Sequence, residues 1–210
     1  MDIEYKGGNC VVLSVKKNTI AIDPKLSSIK LKDQGANATV QLLTQPSFEA
    51  PHGENTLVLS GPGEYEVANM SIRGVAARAH MDAEEDGKKA TMYSVATEDV
   101  TVAVVGHVHP DISEDQLEQL GVVDVLIVPV GGGGYTLDAA GAVDVVRKIG
   151  PKIVVPTHYA DSAASYEVPQ ADVDAFVKEL GAAVEVSSKL KLKAGTFGDV
   201  LTVQQLNRVA

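Results

Sequence analysis

The chain has 210 residues, of which 45% are hydrophobic and 22% are charged, so it is long enough to bury one sizeable core as a globular protein. Its formal net charge of −10 at pH 7 and its lack of a basic cluster argue against nucleic acid or an anionic membrane as a partner. The first residues resemble no signal peptide, no apolar run reaches the roughly 20 residues of a membrane helix, and Cys10 is the only cysteine, which together predict a cytoplasmic protein.

Short apolar or alternating runs, separated by turn residues, predict that the first half of the chain consists of β-strands. The expected strands cover residues 9–15, 19–23, 39–44, 56–60, 64–67, 71–77, 91–96 and 100–105. Residues 80–89, HMDAEEDGKK, are charged and poor in apolar side chains, which predicts a loop at the surface or at the mouth of a site.

The second half is predicted to alternate strands with helices. Ser113 and Gln116 fit a capping box at the start of a helix. Residues 125–128 and 153–155 are apolar throughout, as in strands buried on both faces, and a helix with one apolar stripe joins them. We expect this helix to begin after Thr136 as its N-cap and to end before Gly150, and Pro169 to begin a later helix. Closing strands are expected at residues 183–186, 190–193 and 200–204.

This order of elements predicts both the fold class and the place of the site. Many strands followed by strand–helix units favour two sheets with helices outside over one doubly wound sheet. No polar or proline-rich linker divides the chain, so we expect a single domain over residues 1–210. Because such units carry functional residues at the carboxyl ends of their strands, the loops GGGGYT and THY are the expected location of any chemistry.

Four segments, in matching order, resemble those of the metallo-β-lactamase superfamily. They are IAIDP at residues 20–24, GPGEYEV at 61–67, VDVLIVPVGG at 123–132 and PKIVVPTHY at 151–159. The most similar branch is that of the small Zn-dependent hydrolases of the β-lactamase fold related to ascorbate-6-phosphate lactonase. The resemblance implies an αββα sandwich of two mixed β-sheets flanked by helices, with a metal site along one edge of the sheets.

The metal ligands that the resemblance implies are only partly present. The family's first metal motif, Thr-His-x-His-x-Asp-His, corresponds to residues 44–50, TQPSFEA, in which Gln, Ser and Ala replace the histidines. Because Gln and Ser are poor zinc ligands and Ala is none, this motif is degenerate. Two further family histidines correspond to His80 and His158, and the bridging aspartate falls at about Val104. The resemblance therefore implies His80 and His158 as metal ligands, which by themselves would hold zinc weakly.

A second histidine motif offers an alternative to this pair. His107, His109 and Asp111 follow a predicted strand as H-x-H-x-D, the layout of the degenerate motif. One interpretation is a relocated metal site near His158, and the other, which we favour, is a turn with solvated side chains. His80 and His158 also have two interpretations. Each is a functional histidine, acting as a metal ligand or a general base, or a structural histidine whose ring is satisfied by hydrogen bonds.

The glycine-rich loop suggests an anion site. Gly132, Gly133, Gly134, Tyr135 and Thr136 precede the predicted helix, whose N-terminus attracts anions through its backbone amides. The alternative is a turn that needs positive φ or a close backbone approach. The sequence fits neither the dinucleotide-binding nor the P-loop pattern. In addition, Asp23 is expected to support a ligand or cap a turn, and Cys10 to be structural.

Two classes of function follow from these observations. The first is a metal-dependent hydrolase of a small ester, lactone or phosphoester, with zinc as the cofactor that the resemblance implies. The alternative is a catalytically inactive relative that uses the old cleft to bind a ligand or a partner. A small molecule is the expected partner in the first case, and the sequence is compatible with a homo-oligomer.

Overall fold

Within residues 1–81, 89–193, 195 and 197–209, which the computed structural model describes, fourteen β-strands form two sheets and three α-helices pack beside them. The strands are β1 (Asp2–Gly7), β2 (Cys10–Val15), β3 (Asn18–Ile22), β4 (Val40–Leu42), β5 (Leu57–Leu59), β6 (Gly63–Val67), β7 (Met70–Ala77), β8 (Ala90–Ala96), β9 (Thr101–Val104), β10 (Val125–Pro129), β11 (Ile153–Thr157), β12 (Ala183–Ser187), β13 (Leu190–Lys191) and β14 (Thr202–Leu206). The helices are α1 (Glu114–Leu120), α2 (Ala139–Ile149) and α3 (Val173–Leu180).

Both sheets mix parallel and antiparallel pairs. The first has the strand order β13-β1-β2-β3-β4-β5, in which β3, β4 and β5 are parallel and the other pairs are antiparallel. The second has the order β12-β14-β11-β10-β9-β8-β7-β6, and its parallel half runs from β12 to β9. This arrangement of two mixed sheets with flanking helices confirms the predicted fold class.

The apolar runs in β10 and β11 supply both hydrophobic layers of the protein. Along β10, Val125 and Ile127 belong to the core between the sheets, whereas Leu126 and Val128 belong to the core beneath the helices. All five residues of each of these strands are buried, as expected for strands covered on both faces. Burying one such side chain contributes roughly 1.5–3 kcal/mol, so these strands form a rigid base for the loops at their carboxyl ends.

The helices lie against the second sheet. α1 contacts β7 and β8, while α2 contacts β10 and α3. Phe176 of α3 is fully buried in the same core as Val143 and Val146 of α2. The predicted capping box at the start of α1 is confirmed, because Ser113 Oγ accepts from Gln116 N and Gln116 Oε1 accepts from Ser113 N. None of the described helices has the length and apolar character that crossing a membrane requires.

Several predicted element boundaries were wrong. Thr136 is not the N-cap of α2, because residues 132–136 close a turn of their own and the Asp138 carboxylate caps the helix by accepting from Gly141 N at 2.8 Å. Pro169 does not begin α3, since Ala171 N donates to Gly131 O at 2.7 Å and keeps this segment extended until Asp172 caps the helix.

The first and last strands also differ from prediction. β1 was missed, and β14 covers Thr202–Leu206 rather than residues 200–204. β1 alternates buried and half-buried residues and pairs with β2, whereas β14 lies between β11 and β12. Most of the predicted charged loop, residues 82–88, lies outside the described residues.

Candidate functional site

A cavity of about 210 Å³ lies at the carboxyl ends of strands from both sheets, and we call it the main cavity. The loops that follow β3, β4, β9, β10 and β11 all contribute to its wall, and the first cavity residue of each is Asp23, Phe48, His107, Tyr135 and His158, respectively. The two loops that the sequence indicated, GGGGYT and THY, are among them. The site therefore lies where strands of the two sheets end side by side.

His158 occupies a constrained position at the end of β11. Its backbone has φ +50°, in the left-handed region that a residue other than glycine enters at a cost of about 1–3 kcal/mol. The hydrogen bond from His158 N to Gly8 O, 2.7 Å long, helps to hold this conformation and joins the second sheet to the β1–β2 turn of the first. In this backbone conformation the imidazole lies at the wall of the main cavity.

The hydrogen bonds of Gln170 determine which ring nitrogen of His158 carries the proton. Gln170 Nε2 donates to Val168 O at 2.9 Å, so Gln170 Oε1 faces His158 Nδ1, 3.1 Å away, as an acceptor. His158 Nδ1 therefore carries the proton, and Nε2 keeps its lone pair. Burial lowers the pKa of His158 to about 4, against the opposing effect of the Gln170 hydrogen bond, so the ring is neutral at pH 7.

His107 is the second buried imidazole of the main cavity. Its ring meets that of His158 edge-to-face, with centroids 4.6 Å apart at 90°, and lies 4.9 Å from the Tyr135 ring and 5.4 Å from the Phe48 ring. His107 Nδ1 is buried and has no hydrogen-bond partner among the described residues. Burial, followed by the neighbouring His158, holds the pKa of His107 well below its usual value. The cavity thus contains two neutral imidazoles in contact.

Asp23 forms the floor of the main cavity and connects the two sheets. Its carboxylate accepts hydrogen bonds from Thr44 N at 2.7 Å, Thr44 Oγ1 at 2.6 Å and Asn9 Nδ2 at 2.5 Å. Asn9 Oδ1 in turn accepts from Thr157 Oγ1 of β11 at 3.0 Å. Burial raises the pKa of Asp23 to about 6, although these three hydrogen bonds favour the ionised form. We call Thr44, Asp23, Asn9 and Thr157 the cross-sheet chain.

The residues of the degenerate motif mostly point away from the main cavity. Ser47 and Glu49 are exposed, and Glu49 Oε1 lies 3.2 Å from His52 Nε2 at the surface. Only Phe48 of this segment lines the cavity. Val104, to which the bridging aspartate was assigned, is buried in the core between the sheets, and His107 is the residue from this region that reaches His158.

His80 lies in a separate cleft. This cleft, of about 320 Å³, is lined by His80, His109 and Asp138, and the two histidine rings are 6.5 Å apart. Burial, as the largest cause, lowers the pKa of His80. The structure therefore does not bring His80 and His158 together in one pocket.

The alternative histidine motif is also divided between the two pockets. His107 faces the main cavity, whereas His109 Nδ1 accepts from Asp111 N at 3.2 Å and the Asp111 carboxylate lies 3.7 Å from Lys148 Nζ. Across the described ranges, no group of three His, Cys, Asp or Glu side chains is arranged to hold a metal ion. Both ligand sets that the sequence suggested stay predictions.

The glycine-rich loop has the geometry of a close backbone approach. Gly132, Gly133 and Gly134 all have positive φ, and a Cβ at Gly131 would lie 2.0 Å from His158 O. The Asp138 carboxylate occupies the N-terminus of α2, where it disfavours a bound anion. The anion site at residues 132–136 stays a prediction, and within it Tyr135 faces the main cavity while Thr136 faces the second cleft.

Several residues of the main cavity were not predicted as site residues from the sequence. Asn9 and Gln170 are hydrogen-bond partners of Asp23 and His158, respectively, and Tyr166 places its ring 5.0 Å from His158. Lys25 and Glu167 are exposed at the mouth. The Gly-Gly turn before Asn9 could have identified Asn9 as a site residue, because the turn ends beside the expected site. No local sequence feature identifies Gln170.

Comparison with known proteins agrees with this fold. Residues 2–158 match the family model described as "Beta-lactamase superfamily domain". A UPF0173 protein from Pyrococcus furiosus is 43% identical over 63 residues, which is 30% of this chain and 27% of that protein, so the match spans about a quarter of the relative's length. The likeness to the ascorbate-6-phosphate lactonase branch stays a prediction.

Solved structures extend the comparison over the whole chain. A Thermotoga maritima protein, described as a Zn-dependent hydrolase of the metallo-β-lactamase superfamily, has a TM-score of 0.76 at 24% identity, covering 98% of this chain and 100% of that one. A metallo hydrolase from Ignicoccus hospitalis has a TM-score of 0.62 at 17% identity, covering 91% and 99%. These identities show the fold alone. Because the family model covers most of the sequence, the chain belongs to the metallo-β-lactamase superfamily.

Proposed function

We propose that this chain binds a small organic molecule in the main cavity. The observation that carries the proposal is His107 Nδ1, which is buried at the cavity wall and has no hydrogen-bond partner among the described residues. Leaving a buried polar atom unpaired costs about 1–3 kcal/mol, and a bound ligand recovers this free energy by completing the hydrogen bond. Aromatic rings and a few polar groups around an enclosed volume are typical of small-molecule sites.

The metal centre that the superfamily implies does not fit the residues of this cavity. A catalytic zinc site needs at least three protein ligands, whereas the main cavity offers His107 and His158. The nearby Asp23 carboxylate already accepts three hydrogen bonds, and His80 lies in the second cleft. No third donor among the described residues completes a metal-binding group. We therefore derive no catalytic step through a metal.

Hydrolysis of a small ester or lactone in the same cavity is the second candidate function. It is favoured by two neutral imidazoles beside a carboxyl group whose pKa is raised to about 6, and by the description of similar structures as hydrolases. His158 Nε2 has the lone pair needed to take a proton from an attacking water. An imidazole with a pKa near 4 is a weak base at neutral pH, so we place hydrolysis second.

Two measurements on protein purified without chelator test the proposal. The metal content is determined first, for the wild type and for His158→Asn, since Asn tolerates the left-handed backbone at this position. A fragment library is then screened by NMR, with ester and lactone hydrolysis assayed in parallel. We expect substoichiometric metal, no hydrolysis, and fragments that shift the ring signals of His107 and His158.

The outcomes separate the candidate functions. Fragment binding that disappears in His107→Phe, which keeps a ring but loses the nitrogens, supports small-molecule binding. Stoichiometric metal that is lost in His158→Asn overturns the proposal in favour of a metal-dependent hydrolase. Turnover of an ester or lactone without metal favours the second candidate, and a screen in which no fragment contacts the main cavity refutes both uses of it.

A further inference from the structure

The direction of the hydrogen bonds around His158 indicates what a ligand must offer, given the proposed function of the main cavity. Val168 O accepts from Gln170 Nε2 and so fixes the orientation of the Gln170 amide. Gln170 Oε1 in turn accepts the hydrogen bond of His158 Nδ1. His158 Nε2 is left as a hydrogen-bond acceptor that no described residue satisfies. His158 Nε2 can therefore pair only with a hydrogen-bond donor of the ligand. A ligand that has only acceptors leaves this nitrogen unpaired.

The charges around the cavity select against anions. Lys25 and Glu167 are exposed at the mouth and have opposite signs, so they contribute no net charge. Asp23 is the other charged residue of the wall, and Asn9 and Thr44 already donate to its carboxylate. Lys25, which is exposed, is the only lysine or arginine among the described lining residues, so none is buried inside the cavity. An anion would lose its hydration there without gaining a cationic partner, and burying an unpaired charge is strongly unfavourable.

The shape of the wall favours a flat molecule. Two tyrosine rings pack near the His158 ring, with Tyr135 stacked at 5.7 Å and 29° and Tyr166 tilted at 5.0 Å. Phe48 adds another ring beside His107. Aromatic faces pack best against a planar partner, and a cavity of about 210 Å³ holds one ring with a small substituent.

We infer that the ligand of the main cavity is a planar molecule without negative charge that places an N–H or O–H donor against His158 Nε2. Primary amides, phenols and N–H heterocycles belong to this class. Carboxylates and phosphoesters do not, because they are anionic. This narrows the range of substrates that the sequence suggested, since it leaves neutral esters and lactones only where they also carry a donor.

Three probes with matched shape test the inference, and each contains one benzene ring and a planar substituent. Benzamide is neutral and has an N–H donor, acetophenone is neutral and has an acceptor only, and benzoate is anionic. Because one net hydrogen bond contributes about 1 kcal/mol, we expect benzamide to bind about fivefold more tightly than acetophenone. Benzoate, which lacks both the donor and the neutrality, should bind more weakly than either. Affinities are measured by NMR titration at neutral pH.

A substitution at Gln170 provides the matched protein control. Gln170→Met keeps the length of the side chain but removes the acceptor that fixes the proton on His158 Nδ1, so the preference for benzamide over acetophenone should disappear. Gln170→Glu loses the bond to Val168 O and adds a negative charge but keeps an acceptor beside His158 Nδ1, so the preference between the two neutral probes should be retained. Thermal unfolding of both variants confirms that they are folded.

The failures of this inference and of the proposed function are distinguishable. Equal or tighter binding of benzoate overturns the selection against anions, and equal binding of acetophenone overturns the assignment of a donor, while both leave the main cavity as a binding site. If other fragments bind in the main cavity but none of the three probes does, the ligand class is wrong. If no fragment binds there, the proposed function itself fails.

Discussion

Replacing Asp23 with Asn should change how the stability of the protein depends on pH. Asp23 is 2% exposed, and its carboxylate accepts the hydrogen bonds that begin the cross-sheet chain. Burial raises its pKa from 3.8 to about 6. Asn has the same shape but does not titrate, so the variant removes this ionisation and little of the volume.

The magnitude follows from the difference in pKa between the two states. Between about pH 4 and pH 6, the folded protein holds a proton on Asp23 that the unfolded chain has already released. The free energy of unfolding therefore falls as the pH rises through this window, and the stabilisation present below pH 4 is lost above pH 6. At about 1.36 kcal/mol per pKa unit, a shift from 3.8 to about 6 corresponds to about 3 kcal/mol.

Urea unfolding of the wild type and of Asp23→Asn, measured across this pH range, tests the argument. We expect the wild type to lose about 3 kcal/mol relative to the variant as the pH rises from about 4 to about 7. Asp111→Asn, at a carboxylate whose side chain is 86% exposed, controls for the loss of one negative charge. Parallel pH profiles for the wild type and Asp23→Asn would refute the raised pKa and the burial argument behind it.

Three further substitutions test other parts of the structure by urea unfolding. Asn9→Ala leaves both hydrogen-bond partners of its side chain unpaired and should cost about 2–4 kcal/mol, and a cost below 1 kcal/mol would contradict a buried cross-sheet chain. Gly106→Ala places a Cβ 2.5 Å from Thr44 Cβ, so it should cost about 1–3 kcal/mol more than Gly121→Ala, where φ is also positive but nothing lies within 4 Å. Ser113→Ala removes the α1 capping box and should cost about 1 kcal/mol, whereas an unchanged stability would show that the cap is not used in solution.

The sequence predicted the parts of the fold that depend on local patterns. The apolar runs of β10 and β11 are bounded by glycine and proline. Every residue of these runs is apolar in the sequence, and every residue of both strands is buried in the structure. The capping residues Ser113 and Gln116 likewise act within one turn of helix. The rule that sites lie at the carboxyl ends of parallel strands then located the main cavity without any knowledge of its lining.

Contacts between distant loops were beyond the reach of these patterns. Gln170 reaches His158 because the segment before α3 folds back along the glycine-rich loop, through the hydrogen bond from Ala171 N to Gly131 O. The sequence predicted a helix in that segment instead. His107 faces His158 because the chain turns at Gly106, whose φ is +63°, after β9 ends. Val104, at about which the sequence comparison placed the bridging aspartate, lies in the core between the sheets instead.

The hydrogen bonds at the two ends of the main cavity have a consequence for the rate at which its contents exchange. At the floor, the bond from His158 N to Gly8 O and the cross-sheet chain join the two sheets, so this end opens only when the fold itself does. At the mouth, Ser165 N donates to Ile29 O at 2.9 Å and bridges two surface loops, which are less buried than the floor and therefore open more readily. Exchange of the cavity contents is therefore expected at the mouth, and amide hydrogen exchange that is faster at Ser165 than at His158 would support this.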